Sequence, residues 1–198
     1  LKQLFTTPEP VFLMVSTIEP RKNHAYLLDA FERAWVGGST ARLCIAGRVG
    51  WKCEALLVRV RNHPELNTRL FIFNDLSDTS LEHAYAHASA LVFPSFVEGF
   101  GLPLVEAMQR GLPAMGSDIA VFREIGGEFM AYFDLQDSQS LADLIMGFQR
   151  SGQFPAARDV ADWQWIGWRE ASQQLAERSV RNVLEAPTAP ARQHAHCP

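Results

Sequence analysis

Two glutamates, Glu98 and Glu106, bracket the run Gly99-Phe100-Gly101-Leu102-Pro103-Leu104-Val105. Glycines let a backbone approach a ligand closely, because no Cβ stands in the way. Proline suits the first turn of a helix, where its missing N–H is not needed. The free N–H groups at such a helix start, aided by the helix dipole, attract phosphate. Glu106, about one turn inside, is placed to accept hydrogen bonds from both hydroxyls of a ribose. Glu98, ahead of the loop, is placed for sugar hydroxyls beyond the phosphates. A glycine pair alone makes an ordinary turn, and a glutamate alone suits any helix start. Two carboxylates flanking the loop make ligand binding the better reading.

A second segment, Val15-Ser-Thr-Ile-Glu-Pro-Arg-Lys-Asn-His24, carries Arg21 and Lys22. An isolated Arg-Lys pair is usually a solvated surface feature. Facing a diphosphate, both would make charge-assisted hydrogen bonds, roughly twice as strong as neutral ones. His83 and His87 are four apart on a predicted helix but lack a third ligand, so they read as surface histidines and no metal site is expected. His194, His196 and Cys197 fall in a tail and are assigned no site. No Ser-His-Asp arrangement with a nucleophile elbow occurs.

The elements that must position these residues alternate. Apolar runs of strand length occur at Val11–Ser16, Arg42–Ala46, Arg69–Phe73, Ala90–Phe93, Ala114–Met115 and Phe129–Phe133. Between and after them lie helical patterns at Asn23–Trp35, with Asn23 as its cap, and at Lys52–Arg61, Thr79–His87, Pro103–Arg110, Phe122–Ile125 and Leu141–Arg150. This alternation predicts an α/β fold, a doubly wound parallel sheet of the Rossmann-like kind with helices on both faces. Ligands of such sheets bind outside the carboxyl ends of the strands, where both segments above fall. Trp163, Trp165 and Trp168 are read as opening a long amphipathic helix to about Glu185, with Leu175, Ala176, Val180, Val183 and Leu184 on one side. The expected organisation is a linker at 1–9, a nucleotide-sugar-binding domain at 10–185 and a disordered tail or linker at 186–198.

The Glu98/Glu106 spacing, the enclosed Gly-Phe-Gly-Leu-Pro and the following Ala107, Met108, Gly111 and Pro113 resemble the signature of glycosyltransferase family 4. These are retaining enzymes of the GT-B fold. The resemblance implies that Glu106 binds the donor ribose, that Glu98 contacts the donor sugar, and that amides near Phe100, Gly101 and Leu102 meet the diphosphate or sugar. It implies that Lys22 holds the donor phosphates. Where many members carry a glycine and an arginine, this chain has Ser16 and Thr17, which leaves Arg21 as a possible substitute. The loop Ala46-Gly-Arg-Val-Gly50 is also similar to the family, with Arg48 a weaker phosphate candidate. Family members hold the base by backbone groups in a stretch that corresponds to Phe73-Asn74-Asp75-Leu76, where Asn74 replaces a common glycine. Ser95, Ser117 and Asp118 close other loops on the same face and suit helix capping as well as ligand contact.

Composition agrees with this and narrows it. A net charge of −4 argues against nucleic acid as a partner. No apolar run of membrane-spanning length and no signal-peptide pattern is seen. Cys44, Cys53 and Cys197 are odd in number and widely spaced, which suits incidental thiols in a reducing cytoplasm. The resemblance implies the donor half of a hexosyltransferase acting with retention and without an obligatory metal or organic cofactor. Its partner is a separate N-terminal acceptor-binding domain, which nothing in this chain resembles. The acceptor is a glycan or a lipid-linked glycan, and any membrane contact is peripheral, at the inner face of the plasma membrane. The first loop resembles those of bacterial mannosyltransferases that build polysaccharides. GDP-mannose is therefore the expected donor, ahead of a UDP-sugar. The alternatives are a non-catalytic nucleotide-sugar-binding module and another GT-B enzyme such as a sugar-nucleotide epimerase.

Overall fold

The computed structural model describes residues 1–165, 167, 170, 172, 173 and 175–178. They fall into two units, one spanning Leu1–Trp163 and one from Gln164 onward. In the first, six short strands form one parallel sheet: β1 (Val11–Val15), β2 (Arg42–Ala46), β3 (Leu70–Phe73), β4 (Ala90–Phe93), β5 (Ala114–Ser117) and β6 (Met130–Phe133). Their order across the sheet is β3-β2-β1-β4-β5-β6. Phe12, Leu13 and Met14 of β1 and Leu91, Val92 and Phe93 of β4 are wholly buried. Side chains of one strand point alternately to both faces, so a continuous apolar run needs helices on each. These are α1 (His24–Val36), α2 (Glu54–Arg61), α3 (Asp78–His87), α4 (Leu102–Gln109), α5 (Ala120–Gly126) and α6 (Ser138–Ser151). Aromatic rings tie α1 and α6 to the sheet. Phe12 meets Phe31 and Phe148 edge-on at 5.6 and 6.0 Å, and Tyr26 stacks on Phe133 at 5.6 Å.

The chain winds outward from β1 through β2 to β3, then returns to β4 on the other side of β1 and winds to β6. The connections leaving β1 and β4 run to opposite sides, and the loops meet at the carboxyl ends over the switch-point crevice of such sheets, spanned here by hydrogen bonds from one loop to the other. The β1 loop carries Arg21 and Lys22, and the β4 loop carries Glu98.

Strand-like pairing does not stop where β1 and β2 end. The Ile18 N–H bonds the Arg48 carbonyl at 2.8 Å and the Gly50 N–H bonds the Ile18 carbonyl at 3.0 Å. Two glycines permit this approach. A Cβ on Gly47 would lie 1.8 Å from the Ser16 carbonyl oxygen, and one on Gly50 would lie 2.8 Å from that of Ile18.

The strand and helix expectations hold for the first unit, with boundaries shifted by a few residues. Four details differ. Asn23 does sit at the start of α1, but with left-handed backbone (φ 57°) and no side-chain cap bond. A capping side chain normally springs from extended backbone. Lys52 also has positive φ (49°), which delays α2 to Glu54. Residues 1–9, expected as a linker, lie on the domain. Leu4 is buried, and Phe5 meets His83 edge-on at 5.7 Å. Trp163 and Trp165 are not helical; the described helical residues of the second unit are 170, 172, 173 and 175–178, with Leu175 68% exposed. Trp168, Val180, Val183, Leu184 and the expected tail at 186–198 lie outside the described residues.

The glycines give a paired test. Gly47→Ala forces the two loops apart and should lower stability by about 2 kcal/mol or more. Gly147→Ala, inside α6 with open space around it, should raise stability by about 0.5–1 kcal/mol. Urea denaturation of both variants measures this, and equal effects would show that the loop contact is not tight.

Candidate functional site

A short turn at Pro20–Lys22, closed by the Lys22 N–H on the Glu19 carbonyl at 3.1 Å, aims Lys22 across the crevice. From the other side, the Phe96 N–H donates to the Arg21 carbonyl at 2.9 Å and holds the β4 loop against the β1 loop. The Lys22 ammonium then donates to Glu98 Oε1 at 2.5 Å. It also lies 4.8 Å from the ring centroid of Phe93, the last residue of β4. Arg21 donates from Nη1 to Glu98 Oε2 at 2.9 Å and pairs through Nε with Glu19 at 2.6 Å. Lys22 is only 7% exposed. Long charged side chains are seldom so buried unless paired.

Burial alone would raise the Glu98 pKa. The hydrogen bond from Lys22, with the charges of Lys22 and Arg21, outweighs it and holds the carboxyl below the usual carboxylate range. Taken together, Glu19, Arg21, Lys22 and Glu98 form an ion network of balanced charge at the mouth of the crevice.

The loop between β4 and α4 turns at Gly101, whose φ of 83° favours glycine and whose Cβ would press on the Phe122 ring at 3.0 Å. Beneath it, the Ser117 hydroxyl donates to the Ser95 carbonyl at 2.6 Å. The α4 helix begins at Leu102 with Pro103 second. Glu106 lies one turn in, where the Tyr85 hydroxyl of α3 donates to its Oε2 at 2.9 Å. Burial, followed by the Glu106 charge, pushes the Tyr85 hydroxyl far up, so it stays protonated and remains a donor. Phe100 and Leu102 are exposed beside Gly99 on the same loop.

The structure thus joins Arg21, Lys22 and Glu98 and places Gly99 to Leu102 and Glu106 on the adjoining loop and helix. It does not bring Arg48 or Asn74 to that cluster. Arg48 turns the other way, to Asp75 at 2.8 Å, and the Asn74 side chain accepts the Val49 N–H at 3.2 Å. Both follow strands on the far side of β1. Asp118 pairs with Arg123 at 2.7 Å and caps no helix. Cys44 and Cys53 are buried, and burial pushes the Cys44 thiol up to about 12, which leaves it inert. Sequence reasoning gave no role to Glu19, His24, Trp51 or Tyr85. Glu19 meets Trp51 and Tyr85 meets Glu106 across 32 and 21 positions, which no local spacing reveals, while His24 is marked out only by its burial. His24 sits directly behind Lys22 and is 2% exposed, with Nε2 3.3 Å from the Ser16 hydroxyl.

A parallel sheet with an ion network at its switch point and a glycine turn before a helix defines a ligand-binding α/β domain of the Rossmann-like kind. Residues 2–157 match the family described as Glycosyl transferases group 1, and the chain belongs to that family. It is 38% identical over 169 residues to the serotype-specific mannosyltransferase WbdA of Escherichia coli, covering 84% of this chain and 20% of that protein. It is 30% identical over 143 residues to the O-antigen chain mannosyltransferase RfbU of Salmonella typhimurium, covering 72% and 39%. The chain therefore spans well under half the length of these relatives. Among solved structures, Anabaena Alr3699/HepE in complex with UDP and glucose matches with a TM-score of 0.73 at 20% identity, over 91% of this chain and 50% of that one. Sucrose-phosphate synthase from Thermosynechococcus elongatus gives 0.72 at 22% identity, over 92% and 48%. The fold is that of one half of a GT-B glycosyltransferase.

The imidazole behind Lys22 makes the site's support pH-dependent. Burial, then the Lys22 charge, lowers the His24 pKa from 6.5 to about 4. Between those values the unfolded chain binds the extra proton, so stability is full above pH 6.5 and falls as pH drops towards 4. At most about 3 kcal/mol is at stake. Urea midpoints between pH 7 and 5 should fall for the native chain, and His24→Gln should flatten that slope. An unchanged slope in the variant would place the titration elsewhere.

Proposed function

We propose that this chain is the nucleotide-sugar-binding half of a retaining hexosyltransferase that takes mannose from GDP-mannose and passes it to a glycan or lipid-linked acceptor. The observation that carries the reading is the Lys22 ammonium on Glu98, beside the glycine turn that opens α4. When the bond to the anomeric carbon breaks, negative charge grows on the departing diphosphate. Fixed cations and backbone amides stabilise that charge without rearranging. Lys22 and Arg21 supply the cations, and the N–H groups around Gly99, Phe100, Gly101 and Leu102 supply the amides. Glu98, freed from the ammonium as phosphate takes its place, accepts from hydroxyls of the donor sugar. Glu106, with Tyr85 already fixing one of its oxygens, accepts from the ribose. Mannose is favoured by the names of the relatives, all matched over most of this chain. The acceptor would bind a second, N-terminal domain across the crevice.

Calorimetric titration of GDP, GDP-mannose and UDP-glucose into the chain should show the tightest binding for GDP-mannose. Lys22→Ala and Glu106→Ala should each weaken it by tenfold or more, since each removes a charge-assisted contact. Unchanged affinity in both variants, or silence from every nucleotide, would sink the reading. Mannosyl transfer by the 198-residue chain alone should be negligible in a radiolabelled-donor assay. Efficient transfer would show that no second domain is required.

A further inference from the structure

Trp51 is 56% exposed, although it lies on the ligand-binding end of the sheet in a loop pinned to its neighbour. Tryptophans bury most of their surface on average, and this one keeps an open face at the carboxyl end of the sheet. Nor is the ring loose. Its Nε1–H donates to Glu19 Oε2 at 3.1 Å, and the backbone bonds between Ile18, Arg48 and Gly50 fix the loop that bears it. Through Glu19 the ring joins the charged network, because Glu19 pairs with Arg21 and Arg21 with Glu98. Three side-chain contacts therefore separate the indole from the carboxylate assigned to the donor sugar.

We infer that the exposed face of Trp51 is a subsite for a hexopyranose ring. This rests on the reading of the crevice as a glycosyl-transfer site. A pyranose presents a face of C–H groups that packs on an aromatic ring, while its rim of hydroxyls needs donors and acceptors. Glu19 touches the indole N–H and pairs in turn with Arg21, so an acceptor and a donor lie within two contacts of the ring. A ring with an apolar body and a satisfied polar tip suits an amphipathic partner of this kind. The Lys52 ammonium sits over the ring, 5.5 Å from its centroid, and would donate to a hydroxyl on the rim of a sugar stacked on the opposite face. A diphosphate has no apolar face to offer the ring. The stacked hexose is either the donor's own or one from the acceptor glycan, and the chemistry is shared.

The test is a nitrogen–proton correlation spectrum of the full chain, in which Trp51→Ala identifies the Trp51 indole signal among those of five tryptophans. Titration with α-linked mannotriose should move that signal along a saturating curve, and saturation transfer to the sugar C–H protons should fall at least threefold in Trp51→Ala. A shift with mannotriose assigns the ring to the acceptor. A shift with GDP-mannose beyond that given by GDP assigns it to the donor hexose. Either supports the subsite. A signal moved fully by GDP alone would make Trp51 a nucleobase platform and overturn the proposal. A signal that no hexose or nucleotide moves, while calorimetry still detects GDP-mannose, would overturn it and leave the donor site standing. Movement with mannotriose but no nucleotide binding at all would keep the subsite and remove the donor reading.

Discussion

The contact between the Lys22 ammonium and Glu98 is the hinge of the molecule's chemistry. Either charge alone would be costly so far from water, and the pair is tolerable only because geometry brings the two within hydrogen-bond reach. That geometry comes from the order of the strands. With β1 and β4 adjacent and their following segments parting, residues 76 positions apart in the chain meet over the sheet's end. Glu98 holds the Lys22 side chain in place over the end of the sheet. Arg21 spans Glu19 and Glu98 and ties the two carboxylates together.

The scaffold and the loops of the candidate site were legible in the sequence for different reasons. Strands such as Val11–Val15 and Ala90–Phe93 are apolar at every position, and only a sheet covered on both faces accommodates that. Gly101 and Pro103 announced a turn and a helix start through backbone requirements that are local. Lys22 and Glu98 were legible because strand ends in this architecture share one edge. Arg48 and Asn74 show where such reasoning stops. Both are at strand ends, yet their side chains turn to Asp75 and to the Val49 amide, because β2 and β3 lie beyond β1. Which neighbour a long side chain chooses depends on three-dimensional spacing that residue order does not encode.

The supporting residues were least visible of all. Tyr85 gives no signal in its helix, and only the packing of α3 beside α4 reveals that it holds Glu106. His24 was in plain view next to Lys22, but its neutrality follows from burial. A positive imidazole there would be both dry and beside the Lys22 charge, so the ring stays neutral.

One feature of the backbone reaches beyond the site. Asn23, Lys52 and Asp75, with φ of 57°, 49° and 62°, hold left-handed conformations in three neighbouring loops at the same end of the sheet. Side chains with a Cβ adopt this shape at a cost of roughly 1 kcal/mol each, and glycine would adopt it more cheaply. The domain thus keeps a reserve of tension on its working edge. Selection for thermal endurance could relax that edge one glycine at a time, but each replacement would also loosen the unbound loop, trading a pre-shaped crevice for a tougher one.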